Sequence, residues 1–236
     1  YMGYRNETPY TRIRLGVMVT LTFIFYFLVP FFTEFRIPFI GGVPYSTKPP
    51  GVHDPGSWTF FLFFILIFLI GRRADCGWFC NCVGVRDTVG LPFRRDTIKG
   101  RWAWHFRHIK WILVVFMLVY MALIFLPFPD LLKTTSLIFW QIIIIPWYVT
   151  LVFMPLIGNR SYCRYLCPFG ALYGFIGNKI GFFKIVSHDN CNYCGVCEYE
   201  CDMGIPITEI LREKGQIKSI DCIGCGRCME ACPQHN

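Results

Sequence analysis

The chain has 236 residues, 54% of them hydrophobic and 18% aromatic, and only 16% charged, against about 25% charged in a soluble domain. That balance excludes an ordinary soluble globule and points to a membrane protein carrying one small polar module. The net charge of +8 is unevenly spread: from His188 onward there are four Lys/Arg and eight Asp/Glu, and the other nineteen basic and seven acidic residues precede it, a division that does not fit a nucleic-acid binder.

From the N-terminus, four apolar runs are long enough, or nearly so, to cross a bilayer. They are Ile13–Phe32, Trp58–Ile70, Ile109–Phe128 and Leu137–Ile157. The second reaches spanning length if its helix starts near Ser57, an N-cap residue type, and runs past Arg72 and Arg73 with their heads snorkelling outward. Trp58, Trp102, Trp104 and Trp111 stand near the expected ends, as interfacial anchors do. Arg5, Arg12 and Arg14 precede or open the first run. Arg72, Arg73, Arg86, Arg94, Arg95, Lys99, Arg101, Arg107 and Lys110 lie between the second and third. The loops Thr33–Ser57 and Pro129–Ser136 hold only Arg36, Lys48 and Lys133. The positive-inside rule therefore places both termini in the cytoplasm and the chain, as a multi-pass protein, in the cytoplasmic membrane. Tyr1 is not a Met, and the chain stops four residues after Cys232, so it reads as trimmed at both ends.

The outer loop Thr33–Ser57 is rich in Pro and Gly and is expected to be irregular. It carries His53 and Asp54 at the mouth of the second run, a pairing that could take protons from a quinol, although an ordinary polar loop explains it as well. The inner segment Gly84–Lys110 mixes Trp, Phe and Arg. It reads as lying on anionic lipid headgroups, with a plain basic loop as the alternative. No run contains His, so no haem is expected between the spans; His105 and His108 precede the third run and suit interfacial hydrogen bonds. The cores of the runs also lack Asp, Glu, Lys and Arg, which proton and ion relays need. Gln141, one turn before Pro146, is the notable polar residue of the fourth run, placed to hydrogen-bond a neighbouring helix or to meet a quinone. Met117 and Met121 share a helix face and suit core packing.

An internal repeat follows at an offset of 87 residues. Ile70-Gly71-x-Arg73-x-x-Cys76-x-x-x-Cys80 matches Ile157-Gly158-x-Arg160-x-x-Cys163-x-x-x-Cys167. Each copy closes a two-span unit, which implies two parallel halves related by an axis along the membrane normal. An i,i+4 pair at a helix end sets two thiols on one face, about 6 Å apart. If the axis brings the two ends together, Cys76, Cys80, Cys163 and Cys167 could bind a third iron–sulfur cluster, with Cys82 as a spare or as a replacement for Cys80. Buried free thiols compete with that reading.

The C-terminal stretch carries the clearest chemistry. Cys191, Cys194, Cys197 and Cys201 are spaced C-x2-C-x2-C-x3-C, and Cys222, Cys225, Cys228 and Cys232 repeat the spacing. This is the bacterial run for two [4Fe-4S] clusters, in which the fourth cysteine of each run ligates the other cluster. Cluster one is thus assigned Cys191, Cys194, Cys197 and Cys232, and cluster two Cys222, Cys225, Cys228 and Cys201. Pro233 follows Cys232 as the pattern asks, whereas Asp202 replaces the proline after Cys201. Zinc or disulfides would not demand the doubled triplet.

With Cys163-Arg164-Tyr165-Leu166-Cys167-Pro168 and Cys76-Gly77-Trp78-Phe79-Cys80 beside those two runs, the chain resembles the NapH/NosR-type membrane ferredoxins. Asn81 stands where that family has Pro, Cys82 adds a thiol, and the family's glycine three residues after the second Cys is Val83, with Gly84 one place later. The resemblance implies electron transfer between a quinol pool, or a soluble donor, and a redox enzyme; some relatives are tied to assembly of copper enzymes. The expected fold is a membrane all-α domain over 1–187, four transmembrane helices as two parallel two-helix repeats, followed by an α+β two-cluster ferredoxin domain over 188–236. The expected role is an electron-transfer subunit, not catalytic alone, passing electrons between a cytoplasmic iron–sulfur or flavin protein and quinone or a partner subunit of a membrane redox complex, with lipid around it. An assembly, maturation or redox-sensing factor for another enzyme is the alternative, and no Met- or His-rich tract favours it.

Overall fold

A computed structural model describes residues 9–24, 28, 39–40, 43–44, 65, 68–69, 75–124, 129–181, 184–187 and 191–234. Among the described residues one helix, Arg101–Leu123, is long and apolar enough to cross a membrane, about 34 Å at 1.5 Å per residue. It starts well before the expected Ile109, because Arg101–Phe106 and the tight turn Arg107–Ile109 lead without a break into Lys110–Ile124. The apolar stretch Leu137–Val152 is shorter and belongs to the 24-residue helix Pro129–Val152. The loop expected at Pro129–Ser136 is therefore helical: Pro129 opens the helix, where its missing N–H costs nothing. Most of the second run, with His53 and Asp54, lies outside the described residues. Within the outer loop, Phe39–Ile40 pairs antiparallel with Val43–Pro44, so part of that stretch is a small hairpin and not irregular chain.

The two long helices meet along Met117, Tyr120, Phe139 and Ile143. Tyr120 stacks on Phe139 with ring centroids 4.7 Å apart. Met117 is buried in this seam with Met121 packed against it, as core methionines. On the opposite side Ile112, Val115, Val119, Ile145 and Val152 are exposed. The N-terminal helix Pro9–Phe23 buries Thr11, Arg14, Leu15 and Met18, one stripe at helical spacing, and exposes Ile13, Val19 and Phe23.

That stripe carries a charge inward. Arg14, Asp87 and Arg160 are all within 1% of full burial. The Arg14 guanidinium lies 2.7 Å from Asp87 Oδ2, and Arg160 pairs with Oδ1 of the same carboxylate. One aspartate in helix Asn81–Thr88 thus ties the first helix to the start of the second C-x3-C segment. Next to it the buried Arg86 donates to Asn159 O at 2.9 Å and to the Thr150 hydroxyl at 2.7 Å, pinning the same helix to the end of Pro129–Val152. A buried ion survives only when paired and hydrogen-bonded.

The C-terminal module is small. Ile185–Val186 pairs antiparallel with Gln216–Ile217, with Ile185 opposite Ile217. Helix Ile207–Lys214 packs on the second strand and ends at Gly215 in the left-handed region, φ 63°. Ile207, Leu211, Ile217 and Ile223 fill its core together with Met18, Cys76 and Cys163 from the rest of the chain.

Ion pairs complete the junction. Arg94 pairs with Glu200 and lies 3.6 Å from Asp202. Arg95 reaches Glu200 at 3.8 Å, and Arg107 and Lys110 both grip Asp221. Lys99 donates to the Tyr199 carbonyl over the Tyr199 ring. From the first helix Thr11 donates to Glu230. This corrects the reading of Gly84–Lys110 as a stretch laid on lipid headgroups: five of its basic side chains face the ferredoxin module, whose carboxylates attract them at closer range. Trp104 sits under the Arg107 guanidinium, 3.5 Å from its ring centre, while Trp102 alone of this pair stays open to solvent or lipid.

Replacing Asp87 by Ala should lower stability by about 3–5 kcal/mol, because it leaves two buried guanidiniums without their shared counter-ion. Thermal unfolding of the detergent-solubilised chain measures it; a melting point equal to the parent's would remove Asp87 from this role.

Candidate metal centres

Two loops of the C-terminal module share one backbone path. In the first, Tyr193 (φ 54°) and Gly195 (φ 82°) are left-handed; in the second, Gly224 (φ 65°) and Gly226 (φ 78°) take the same positions. Each loop ends in a single helical turn, Val196–Tyr199 or Arg227–Glu230. Alternating handedness coils the chain around a point, so that three cysteines face one space.

Each loop encloses a cavity. One is lined by Cys201, Cys222, Cys225 and Cys228 with Met203, Ile205, Ile217 and Ile223. The other is lined by Cys191, Cys194, Cys197 and Cys232 with Leu211 and Pro233. Each cavity thus gathers three cysteines of its own run and the fourth of the other run. Among the described residues no three His, Cys, Asp or Glu side chains close on a single ion. A tetrahedral zinc site would hold its sulfurs about 3.8 Å apart, whereas the thiolates of a cube bind four different irons and stand wider.

The donor chemistry fits the same group. Burial pushes the Cys201 thiol up to about 11 and Cys228 to about 12, and it lifts Cys225 well above its ordinary value, with Asp202 adding to the rise and Arg14 opposing it. Bare thiolates are therefore costly in this cavity. A bound iron–sulfur group supplies the missing positive charge, so binding releases protons and stabilises the fold together. Burial likewise raises the Asp202 carboxyl to about 7, against the pull of Arg160 and Arg94.

The two C-x3-C segments are also alike in backbone, but not as expected. Cys76 lies in the wide turn Asp75–Phe79 and Cys163 in the short helix Ser161–Tyr165, yet Cys80 and Cys167 are the extended N-cap residues of the helices that follow. Their dihedrals nearly coincide, φ −73° and ψ 117° for Cys80, φ −73° and ψ 107° for Cys167. The two thiols of a pair are thus not on one continuous helix face. Pro168 explains the break in the second copy, since the residue before a proline avoids the helical region. At the cap, Cys167 Sγ accepts the Gly170 N–H at 3.3 Å, a position that favours a thiolate.

These segments lie against the module. Cys76, Cys80 and Cys163 pack in the same apolar cluster as Cys201, Cys222, Cys225 and Cys228. Cys167 borders the neighbouring cluster around Tyr162. Burial raises the Tyr162 phenol, and ionised Cys167, Cys82, Cys163 and Cys80 would raise it further, which places Cys82 in the same neighbourhood as the pairs. Gly77 touches the cluster-two loop: a Cβ there would stand 2.7 Å from Ile223 O. Tyr10 bridges the same gap, donating to Gly224 O at 3.2 Å and meeting the Trp78 ring edge-on at 6.1 Å. Gln141 is exposed on its helix and joins none of these groups. His105 bonds the Arg101 carbonyl of its own helix at 2.8 Å.

Arg14, Asp87 and Arg160 are the site residues that sequence reading missed. The only signal was Arg160 itself, matched by Arg73 in the repeat.

Comparison with known proteins agrees with these cavities. A 4Fe-4S binding domain model matches residues 54–99 and again 136–185, one C-x3-C segment in each, and a 4Fe-4S dicluster domain model matches 183–233. YccM of Escherichia coli is 28% identical over 203 residues, 78% of this chain and 55% of YccM. The ferredoxin-type protein NapH of Escherichia coli is 29% identical over 181 residues, 72% of this chain and 62% of NapH. The methylamine utilization ferredoxin-type protein MauN of Methylorubrum extorquens is 32% identical over 204 residues, 78% of this chain and 66% of MauN. The chain spans less than two thirds of the length of YccM and of NapH. No solved structure matches it. The paired cysteine cavities and the dicluster match define an iron–sulfur electron-transfer protein of the ferredoxin type. Within that class the chain belongs to the NapH-type polyferredoxins.

The crossed sets give a direct check. Cys232→Ala should abolish the same EPR signal as Cys194→Ala, and Cys201→Ala the same one as Cys225→Ala. A pairing of Cys201 with Cys194 would break the assignment.

Proposed function

We propose that this chain is the iron–sulfur relay of a membrane redox complex, taking electrons from a cytoplasmic iron–sulfur or flavin protein and passing them towards quinone or a partner subunit. The observation that carries it is the contact between the cluster-two loop and the first C-x3-C segment, where a Cβ on Gly77 would stand 2.7 Å from Ile223 O, so that the two cysteine groups pack side by side. Cluster one is held by Cys191, Cys194, Cys197 and Cys232, with Cys194 exposed, and serves as the entry. Cluster two is held by Cys201, Cys222, Cys225 and Cys228, facing the C-x3-C segments, and serves as the exit. When bound, these groups supply reversible one-electron chemistry. Cys76, Cys80, Cys163 and Cys167, with Cys82 beside them, hold a third iron–sulfur group at the membrane edge; the neighbourhood of Cys80, Cys82, Cys163 and Cys167 around Tyr162, and the packing of Cys76 with Cys80 and Cys163, support this. The matching backbone at Cys80 and Cys167 and the doubled domain match support the two-repeat, four-span arrangement.

The remaining assignments rest on the same frame. Residues 1–187 form the membrane part and 188–236 the ferredoxin part, with the strand Ile185–Val186 lent to the latter. Exposed apolar rows on Arg101–Leu123 and Leu137–Val152 suit lipid. The basic residues that set the topology sit beside the ferredoxin module, which keeps it and both termini cytoplasmic. Glu198, Glu200, Asp202, Asp221 and Glu230 are engaged within the chain, so among the described residues the acidic face left for a soluble partner is Glu209 and Glu213 near cluster one. Quinone, if it reaches this chain, meets Gln141 on its exposed helix face or the loop of His53 and Asp54.

Iron analysis of the anaerobically purified chain tests the relay: about twelve irons per chain for three cubes, about ten if the third is a two-iron centre, about eight for two cubes. Eight irons with both ferredoxin signals at full occupancy would end the third group and leave the two-cluster reading standing. A reporter fused after Asn236 should be active only in its cytoplasmic form, and export would overturn the orientation.

A further inference from the structure

The two cavities differ in the charges around them. Cluster one is bordered by Asn192, Tyr193 and Thr208, with no Lys or Arg among the described residues that line it, and Arg212 stacks over Tyr193 at 5.4 Å. Around cluster two stand Arg14, Arg160 and Arg227, all at least 97% buried, against the buried carboxylates of Asp87 and Asp202. Arg227 Nε is 3.4 Å from Asp202, and Arg94 is shared between Asp202 and Glu200.

Arg160 is the most telling of these. Its Nη2 is held by Asp87, but its Nε and Nη1 are buried with no hydrogen-bond partner, and Arg14 Nε is likewise unpartnered. A buried cationic donor without an acceptor is costly, so these N–H groups are available to an acceptor that binds beside them. The groups its charge acts on, after Asp87, are Cys163, Asp202 and Cys225. One guanidinium therefore acts on both the second C-x3-C segment and the cluster-two cavity. Arg14 is clamped by the same carboxylate and by its bond to Gly77 O at 3.2 Å, against the cluster-two loop, and its charge opposes the rise of the Cys225 thiol.

We propose that Arg160 and Arg14, fixed by Asp87, are positioning residues that donate hydrogen bonds and positive charge to the sulfurs of the iron–sulfur group on Cys201, Cys222, Cys225 and Cys228, and so set its reduction potential above that of the group on Cys191, Cys194, Cys197 and Cys232. The inference rests on the two-cluster reading. Reduction adds negative charge to a group that carries it already; a cation and N–H···S bonds stabilise the reduced form, and their loss lowers the potential. Burial acts in the opposite sense, which is why a dry cavity needs its guanidiniums. An electron entering at the exposed group then moves inward of its own accord, and return to the solvent side is uphill.

The test is an EPR-monitored redox titration of the full iron-loaded chain, with Cys194→Ala and Cys225→Ala assigning the two signals. Arg160→Gln and Arg14→Gln each leave Asp87 one guanidinium. Each is expected to shift the reduced-to-oxidised ratio of the cluster-two signal by about tenfold, 59 mV downward for a one-electron couple. The cluster-one signal is the internal reference and should not move, and Arg160→Lys should restore part of the loss. If neither single variant loads iron, Arg160→Gln with Asp87→Asn, which leaves no unpaired carboxylate, is titrated in their place. Equal shifts of both signals, or none, would overturn the proposal. Absence of two separate signals in the parent chain would instead sink the two-cluster reading beneath it.

Discussion

Charges that leave water must find partners inside the protein, and in this chain one carboxylate does most of that work. Asp87 takes Arg14 on one oxygen and Arg160 on the other, each 73 residues away along the sequence. Without it two of the three segments that meet under the ferredoxin module would carry unpaired cations into an apolar setting, at several kcal/mol each. The C-x3-C segments, the first helix and the docking face of the module all take their positions from this junction.

The second organising force is attraction between two parts of the same chain. The acidic ferredoxin module and the basic segment before Lys110 look like surfaces for others: the module for a soluble partner, the segment for lipid. Instead Arg94, Lys99, Arg107 and Lys110 meet Glu200, the Tyr199 carbonyl and Asp221. The Arg94, Arg107 and Lys110 pairs are partly or wholly buried, so salt screens them less than it would an exposed pair. The module is fastened, not tethered. Its cluster-two side is turned inward and its cluster-one side stays open.

The ferredoxin cysteines were legible because metal ligation fixes spacing along the chain, and short loops leave little freedom in how the sulfurs converge. The membrane cysteines were legible as a motif but not as geometry. Cys167 looks like the last turn of a helix until Pro168 is weighed as a first-turn residue that forces the break before it. The Arg14–Asp87–Arg160 junction was invisible for a different reason: a sequence declares charge but not partners, and nothing local links residues so far apart. Helix length suffered from the same bias towards apolar runs. Arg101–Phe106 and Pro129–Ser136 are polar enough to read as loops, yet they continue the helices because their neighbours cap or extend them.

Gly77 has a consequence for how this protein can vary. Where it faces Ile223, the first C-x3-C segment approaches the loop that carries Cys222 and Cys225 so closely that a Cβ would stand 2.7 Å from Ile223 O. The separation of these two cysteine loops is then insulated from ordinary drift in the surrounding residues, which can change size and polarity without lengthening the gap. What cannot change is the absence of a Cβ: any other residue at 77 would wedge the two loops apart.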